Sequence, residues 1–166
     1  MKPNEFVVKY LEYAQDSEAY TGISSVFTLA QAALESGWGE KAIGNNFFGV
    51  KANRTTPMNK KQLITTKEVL KTNSAYFPEI FSIKRRADGK YDYVVKDWFR
   101  KYDTPEECFT DHANFFFENK KYSKALEYSS DPYKFAKEIA KAGYATAPNY
   151  AEVLVSVIKT IERNMP

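Results

Sequence analysis

Apolar residues recur at helical spacing in the first and last parts of the chain and alternate with polar ones in the middle. From Asn4 to about Ala19, Phe6, Val7, Tyr10, Leu11 and Ala14 repeat every three or four positions, which predicts an amphipathic surface helix. Thr21-Gly22 is the turn that follows. Ser24 is a ready N-cap for a second helix, whose wide apolar face is Val26, Phe27, Leu29, Ala30, Ala33 and Leu34. Its alanines keep it narrow, so it fits deep between neighbours, and Gly37 suits the left-handed turn that ends a helix.

The pattern then changes. Ala52 to Lys61 is polar, contains Pro57 and reads as loop. Gln62 to Leu70 (QLITTKEVL) is rich in Ile, Thr and Val and predicts a strand, broken by Asn73 to Pro78. Ile80 to Arg86 and Tyr91 to Phe99 are two more strand-like runs, with the hairpin signal Asp88-Gly89 between them. Together they predict a small antiparallel β-lobe over roughly residues 60–101. Helical spacing returns after Tyr102. Thr104-Pro105-Glu106-Glu107 reads as a capping box opening a helix to about Glu118, with Phe109, Ala113, Phe116 and Phe117 toward the core. Lys121 to Ser129 predicts a short helix. Asp131-Pro132 opens another, with Phe135, Ala136, Ile139 and Ala140 inside and Gly143 as its stop. Asn149 with Glu152 caps the last helix, whose apolar set is Val153, Leu154, Val157, Ile158 and Ile161. No repeat, linker or low-complexity tract interrupts the order. The chain therefore reads as one domain over residues 1–166, mostly α in an α+β arrangement: a helical body with a β-lobe inserted after the second helix and a cleft between them.

Composition narrows the function. A length of 166 residues is enough for a real core. The net charge of +3, with no Arg/Lys run or stripe, argues against nucleic acid as a partner. There is one cysteine, Cys108, and one histidine, His112. An internal disulfide is impossible, and a zinc site built from His and Cys lacks ligands. Cys108 and His112 stand one helical turn apart and can meet, but nothing around them resembles a nucleophile pocket. Cys108 reads as a small buried hydrophobe, and His112, beside three Phe residues, as structural. No apolar run reaches the length of a membrane span. The N-terminus lacks the apolar centre of a signal peptide, so export is expected by another route or after signal removal. No phosphate loop or nucleotide signature is present.

The stretch with most chemistry is Leu29 to Lys51, LAQAALESGWGEKAIGNNFFGVK. Glu35 stands where the narrow helix gives way to a loop of Gly, Asn and aromatics. Gly37 and Gly39 allow sharp turns, Trp38 and Phe48 offer faces for a sugar ring, and Asn46 offers donors and acceptors. Apolar and aromatic neighbours disfavour a charged carboxyl, so the expectation is a raised pKa and a proton to donate near neutral pH. A glycosidase general acid needs that property. A carboxylate at a helix end serves equally as a cap or salt-bridge partner, and the residues alone leave both readings open.

The run AQAALESGWGEKAIGNNFFGVK resembles the signature of glycoside hydrolase family 73, the β-N-acetylglucosaminidase domains of autolysins, phage lysins and flagellar-rod peptidoglycan hydrolases. The resemblance continues in WFRKYDTPEECFTDHANFF and in AGYATAPNYAE; it is weakest over Met58 to Tyr93, where this chain looks longer. It implies a lysozyme-like fold and hydrolysis of the β-1,4 bond after N-acetylglucosamine in peptidoglycan glycan strands. It implies no cofactor and no metal, a monomer, and action at the cell envelope or outside the cell. Glu35 occupies the family's catalytic Glu position. The family's second carboxylate comes from a Thr-rich β-lobe segment ending in Glu, which Thr65-Thr66-Lys67-Glu68 matches. Glu68 is therefore the expected base, with Glu79 and Asp88 as rivals; the substrate's own acetamido group is the alternative nucleophile. Tyr144 matches a cleft tyrosine, while Ala147 replaces a usual Asp. Trp38, Asn46 and Phe48 are expected to shape the substrate floor. The alternatives are a muramidase or lytic transglycosylase of the same fold type, or a non-catalytic wall-binding module.

Overall fold

The computed structural model describes residues 1–166, which form two compact units. One comprises Met1–Phe48 with Tyr102–Pro166; the other is Gly49–Lys101. The first is helical: α1 (Pro3–Thr21), α2 (Ser25–Ser36), α3 (Pro105–Glu118), α4 (Ser123–Leu126), α5 (Pro132–Lys141) and α6 (Tyr150–Arg163).

Helix α2 is the axis of this unit, packed against α1, α5 and α6. Phe27, Leu29, Ala30, Ala32 and Ala33 are all buried, and so are the polar Thr28 and Gln31. A helix buried on most sides must be slim, and its alanines make it so. Ser24 caps it, its hydroxyl accepting from the Phe27 N–H at 3.2 Å. Gly37 ends it in the left-handed conformation at φ 59°, and Trp38 and Gly39 follow with φ of 56° and 88°. A tryptophan in that conformation costs about 1–2 kcal/mol. Its ring packs edge-on against buried Phe6, with centroids 5.4 Å apart, which offsets the cost.

Helix α3 buries the stripe Cys108, Phe109, His112, Ala113 and Phe116. Phe117, expected inside, is exposed, because one residue past Phe116 rotates it off that stripe. At the start of α3, Thr104 accepts from the Glu107 N–H, while the Glu107 carboxylate accepts from the Asp103 N–H at 3.0 Å. The segment expected as one short helix is a 3₁₀ turn, Lys120–Tyr122, followed by α4. Asp131 caps α5 through the N–H groups of Tyr133 and Lys134. Past α5, Gly143 at φ 89° turns the chain back so that the Tyr144 N–H donates to the Ile139 carbonyl. Asn149 holds the N-cap position of α6 without a side-chain cap bond; its ψ of 13° leaves the extended backbone that capping requires. Leu154, Ile158 and Ile161 face the core, whereas Val153 is exposed.

The second unit is a three-stranded antiparallel sheet of β1 (Lys61–Leu70), β2 (Glu79–Arg85) and β3 (Tyr91–Arg100), with β3 in the centre. The expected hairpin joins β2 to β3, with Gly89 at φ 84° and the Arg86 N–H donating to the Lys90 carbonyl. Paired residues Ile64 and Asp97, Thr66 and Val95, and Glu68 and Tyr93 lie on one face. Tyr93 is fully buried there and donates to the Thr72 carbonyl at 2.6 Å.

Candidate active site

Glu35 is the penultimate residue of α2. Its neighbour Ser36 locks the helix end, donating to the Ala32 carbonyl at 2.6 Å and accepting from the Gly39 N–H at 2.9 Å. The backbone carrying Glu35 is thus fixed from both sides. The side chain itself is exposed, not enclosed by apolar neighbours as its sequence context suggests. The Gly37–Gly39 turn leads the chain away in left-handed steps, and the Trp38 ring goes to Phe6 rather than over the carboxylate.

One side of Glu35 is nevertheless defined. The Tyr150 hydroxyl donates to Glu35 Oε1 at 3.1 Å. The same oxygen of Tyr150 accepts from Gln31 Nε2 at 3.0 Å, and Gln31 Oε1 meets His112 Nε2 at 2.6 Å. Gln31 is fully buried and lies one helical turn before Glu35. Tyr144 packs against Tyr150, with ring centroids 5.5 Å apart, and against Phe116 at 5.8 Å. Burial, and then the neighbouring phenol and carboxylate, pushes the Tyr144 hydroxyl well above the ordinary tyrosine range. Tyr150 is pushed up chiefly by burial, with the Glu35 charge adding to it. Both phenols are therefore hydrogen-bond donors, not bases, at any pH the fold tolerates.

The remaining expected residues of this unit have structural partners. Phe48 stacks on His112 with centroids 3.7 Å apart and planes 13° apart, so one ring face is already covered. Trp38 is half-buried on Phe6, and Asn46 is buried with its N–H on the Ile43 carbonyl. His112 is enclosed, and burial drives its pKa down to about 3, so it is a neutral imidazole. Cys108 accepts from the Phe47 N–H, and burial pushes its thiol up to about 12. The two do not pair, and neither has the ionisation a nucleophile–base couple needs.

Glu68 belongs to the second unit. Its carboxylate meets Lys51 Nζ at 2.8 Å, and Asp97 reaches the same ammonium at 3.2 Å. Partial burial works against the Lys51 charge, but the two carboxylates together outweigh it and hold the ammonium above the ordinary lysine range. Of the rivals, Glu79 pairs with Lys96 at 3.5 Å. Asp88 is spent on the hairpin: the Lys90 N–H foremost, then Arg86, holds its carboxyl below the usual range. No three His, Cys, Asp or Glu side chains converge as a metal ion requires.

Four residues of this arrangement were not singled out from the sequence: Gln31, Tyr150, Lys51 and Asp97. Gln31 carried a usable signal, since it precedes Glu35 by four residues on the same helix. Tyr150 follows the N-cap residue Asn149 and opens α6, which marks a helix start but not its direction. Lys51 and Asp97 meet Glu68 through strand pairing far apart in sequence, which local spacing does not report.

A model of the family described as "Glucosaminidase: Mannosyl-glycoprotein endo-beta-N-acetylglucosaminidase" matches residues 11–163. Peptidoglycan hydrolase FlgJ of Vibrio parahaemolyticus is 31% identical over 96% of this chain and 48% of its own length. Exo-glucosaminidase LytG of Bacillus subtilis is 33% identical over 86% of this chain and 45% of its own. The chain spans about half the length of the curated relatives it matches. The glycoside hydrolase domain of Salmonella typhimurium FlgJ superposes with a TM-score of 0.74 at 28% identity, covering 98% of this chain and 90% of that one. With the family match running through both the Glu35 helix and the β-lobe, this chain belongs to the glucosaminidase family, glycoside hydrolase family 73.

Proposed function

We propose that this chain hydrolyses the β-1,4 bond that follows N-acetylglucosamine in peptidoglycan glycan strands, with Glu35 as general acid. The observation that carries the proposal is the fixed, solvent-facing Glu35 with the Tyr150 hydroxyl on one carboxyl oxygen. One oxygen is held, and the other is left to carry a proton to the leaving glycosidic oxygen. A glycan strand lying over the exposed carboxyl removes the water around it and leaves the glycosidic oxygen as its partner. Tyr144 and Tyr150 offer hydroxyl donors beside the developing charge. Asn46, Phe48 and Trp38 support the same region chiefly by holding its backbone and rings in place. The FlgJ and LytG relatives are named as a peptidoglycan hydrolase and an exo-glucosaminidase, which supports the substrate and the bond. Purified cell walls incubated with the chain should lose turbidity; walls that stay turbid beside a folded protein would leave the wall-binding alternative.

The second carboxylate of this proposal is Glu68, as the base that activates the attacking water. Lys51 fixes its orientation, and Glu68 must share that ammonium with Asp97. Glu68→Gln should lose most activity, azide should restore part of it, and proton NMR should find the first-formed anomer of the wild type inverted. A retained anomer together with an unaffected Glu68→Gln variant would transfer the nucleophile's role to the substrate's acetamido group.

A further inference from the structure

Four side chains on three helices form one unbroken hydrogen-bonded line: His112 of α3, Gln31 and Glu35 of α2, and Tyr150 of α6. Its direction follows from donor counting. Gln31 Oε1 can only accept, so the hydrogen between it and His112 sits on His112 Nε2. In the same orientation the Gln31 NH₂ faces Tyr150, whose oxygen accepts. The single hydroxyl hydrogen of Tyr150 is then free for Glu35 Oε1. With the Gln31 amide reversed, Tyr150 would spend its hydrogen on Gln31, and an ionised Glu35 would face the Tyr150 oxygen with no hydrogen between them.

We propose that His112 and Gln31 are positioning residues that aim the Tyr150 hydroxyl hydrogen at Glu35. Glu35 Oε1 is thereby reserved as an acceptor, and its other oxygen delivers the proton. The inference rests on Glu35 being the general acid. His112 is suited to this task because nothing lets it turn over or charge. Its ring stacks on Phe48 3.7 Å away, runs nearly parallel to Phe115 at 6.1 Å, and meets Phe116 edge-on at 5.1 Å. A neutral ring locked in this slot has one tautomer compatible with Gln31. As Glu35 gives up its proton, the charge that grows on its carboxylate meets a hydrogen already aimed at it, with no reorganisation required. The titratable groups coupled to Glu35 are Tyr144 and Tyr150, and Tyr122 couples to both phenols. Both phenols and the buried imidazole keep one protonation state around pH 7.

The test has two arms. The chain has a single histidine, so a long-range proton–nitrogen NMR spectrum of the wild type reads one imidazole. It should carry hydrogen on Nε2 and stay neutral from pH 8 to about 4. Hydrogen on Nδ1 would overturn the proposal whatever the variants do. The second arm is the pH profile of the rate on limiting purified walls. His112→Phe keeps the stacked ring but cannot donate to Gln31, so Glu35 loses its aimed hydrogen. The alkaline limb should move up by roughly one pH unit and the plateau should fall several-fold. Tyr150→Phe should do the same. His112→Gln places an amide N–H near the position of Nε2 and should bring the limb back toward the wild type. A folded His112→Phe with the wild-type limb would overturn the inference, as would a His112→Gln variant that behaves like His112→Phe. Glu35→Gln, run alongside, separates the two levels: if it stays active, the general-acid assignment itself fails, whereas an inactive Glu35→Gln with an unmoved His112→Phe limb sinks only the positioning role.

Discussion

Glu35→Gln should leave a folded protein that still binds cell walls and clears them about a hundred- to ten-thousand-fold more slowly, or not measurably. The amide keeps the size of the carboxyl and an oxygen that accepts from Tyr150, so the hydrogen-bonded line need not break. What it lacks is a proton that can be transferred to the leaving oxygen. Because Glu35 is exposed, the substitution opens no cavity and strands no buried charge, so melting should shift little. Circular dichroism and the turbidity rate, measured on the same preparation, check both halves. Near-normal clearing by the folded variant would end the assignment of Glu35.

The second large effect concerns acid stability. His112 is neutral in the fold with a pKa of about 3, against about 6.5 for an unfolded histidine. Below about pH 6.5 the unfolded chain binds a proton that the folded chain refuses. Stability therefore rises with pH across this window and is lost as pH falls from about 6.5 toward 3, by about 1.4 kcal/mol per unit. From pH 7.5 to pH 5, the His112 contribution should come to roughly 2 kcal/mol. Urea denaturation of the wild type and of His112→Gln at the two pH values isolates it, since carboxylates titrate alike in both chains. Parallel losses in the two proteins would mean that His112 accepts a proton in the folded state.

Much of the fold was legible because its signals are local. Ser24, Gly22, Gly37 and Asp131 carry the cap chemistry their positions require, and each ends or begins a helix as expected. The strand runs and Asp88-Gly89 yielded the β-lobe because alternation and hairpin chemistry are read within a few residues. The sheet order β1-β3-β2 was not read, since it depends on a pairing between strands distant in the chain. Phe117 and Asn149 went astray for a different reason: each satisfies a composition rule, but rotation about the helix axis or an unsuitable ψ decides the outcome.

The site divides the same way. Glu35 was singled out because its motif is contiguous, yet its surroundings were misjudged. Aromatic neighbours in sequence, Trp38 and Phe48, turn to Phe6 and His112 instead of enclosing it. The groups that do touch it, Tyr150 directly and Gln31 and His112 behind, come from three helices that only tertiary packing unites. His112, set aside as structural, is both structural and the origin of that line's direction.

The central claim is the bond cleaved, and the reducing ends of the products test it most directly. Purified glycan strands digested with the chain, reduced with borohydride and hydrolysed, should yield N-acetylglucosamine-derived alditol, with none formed by Glu35→Gln. Muramic alditol would indicate a muramidase, and 1,6-anhydro ends a lytic transglycosylase; either would contradict the account.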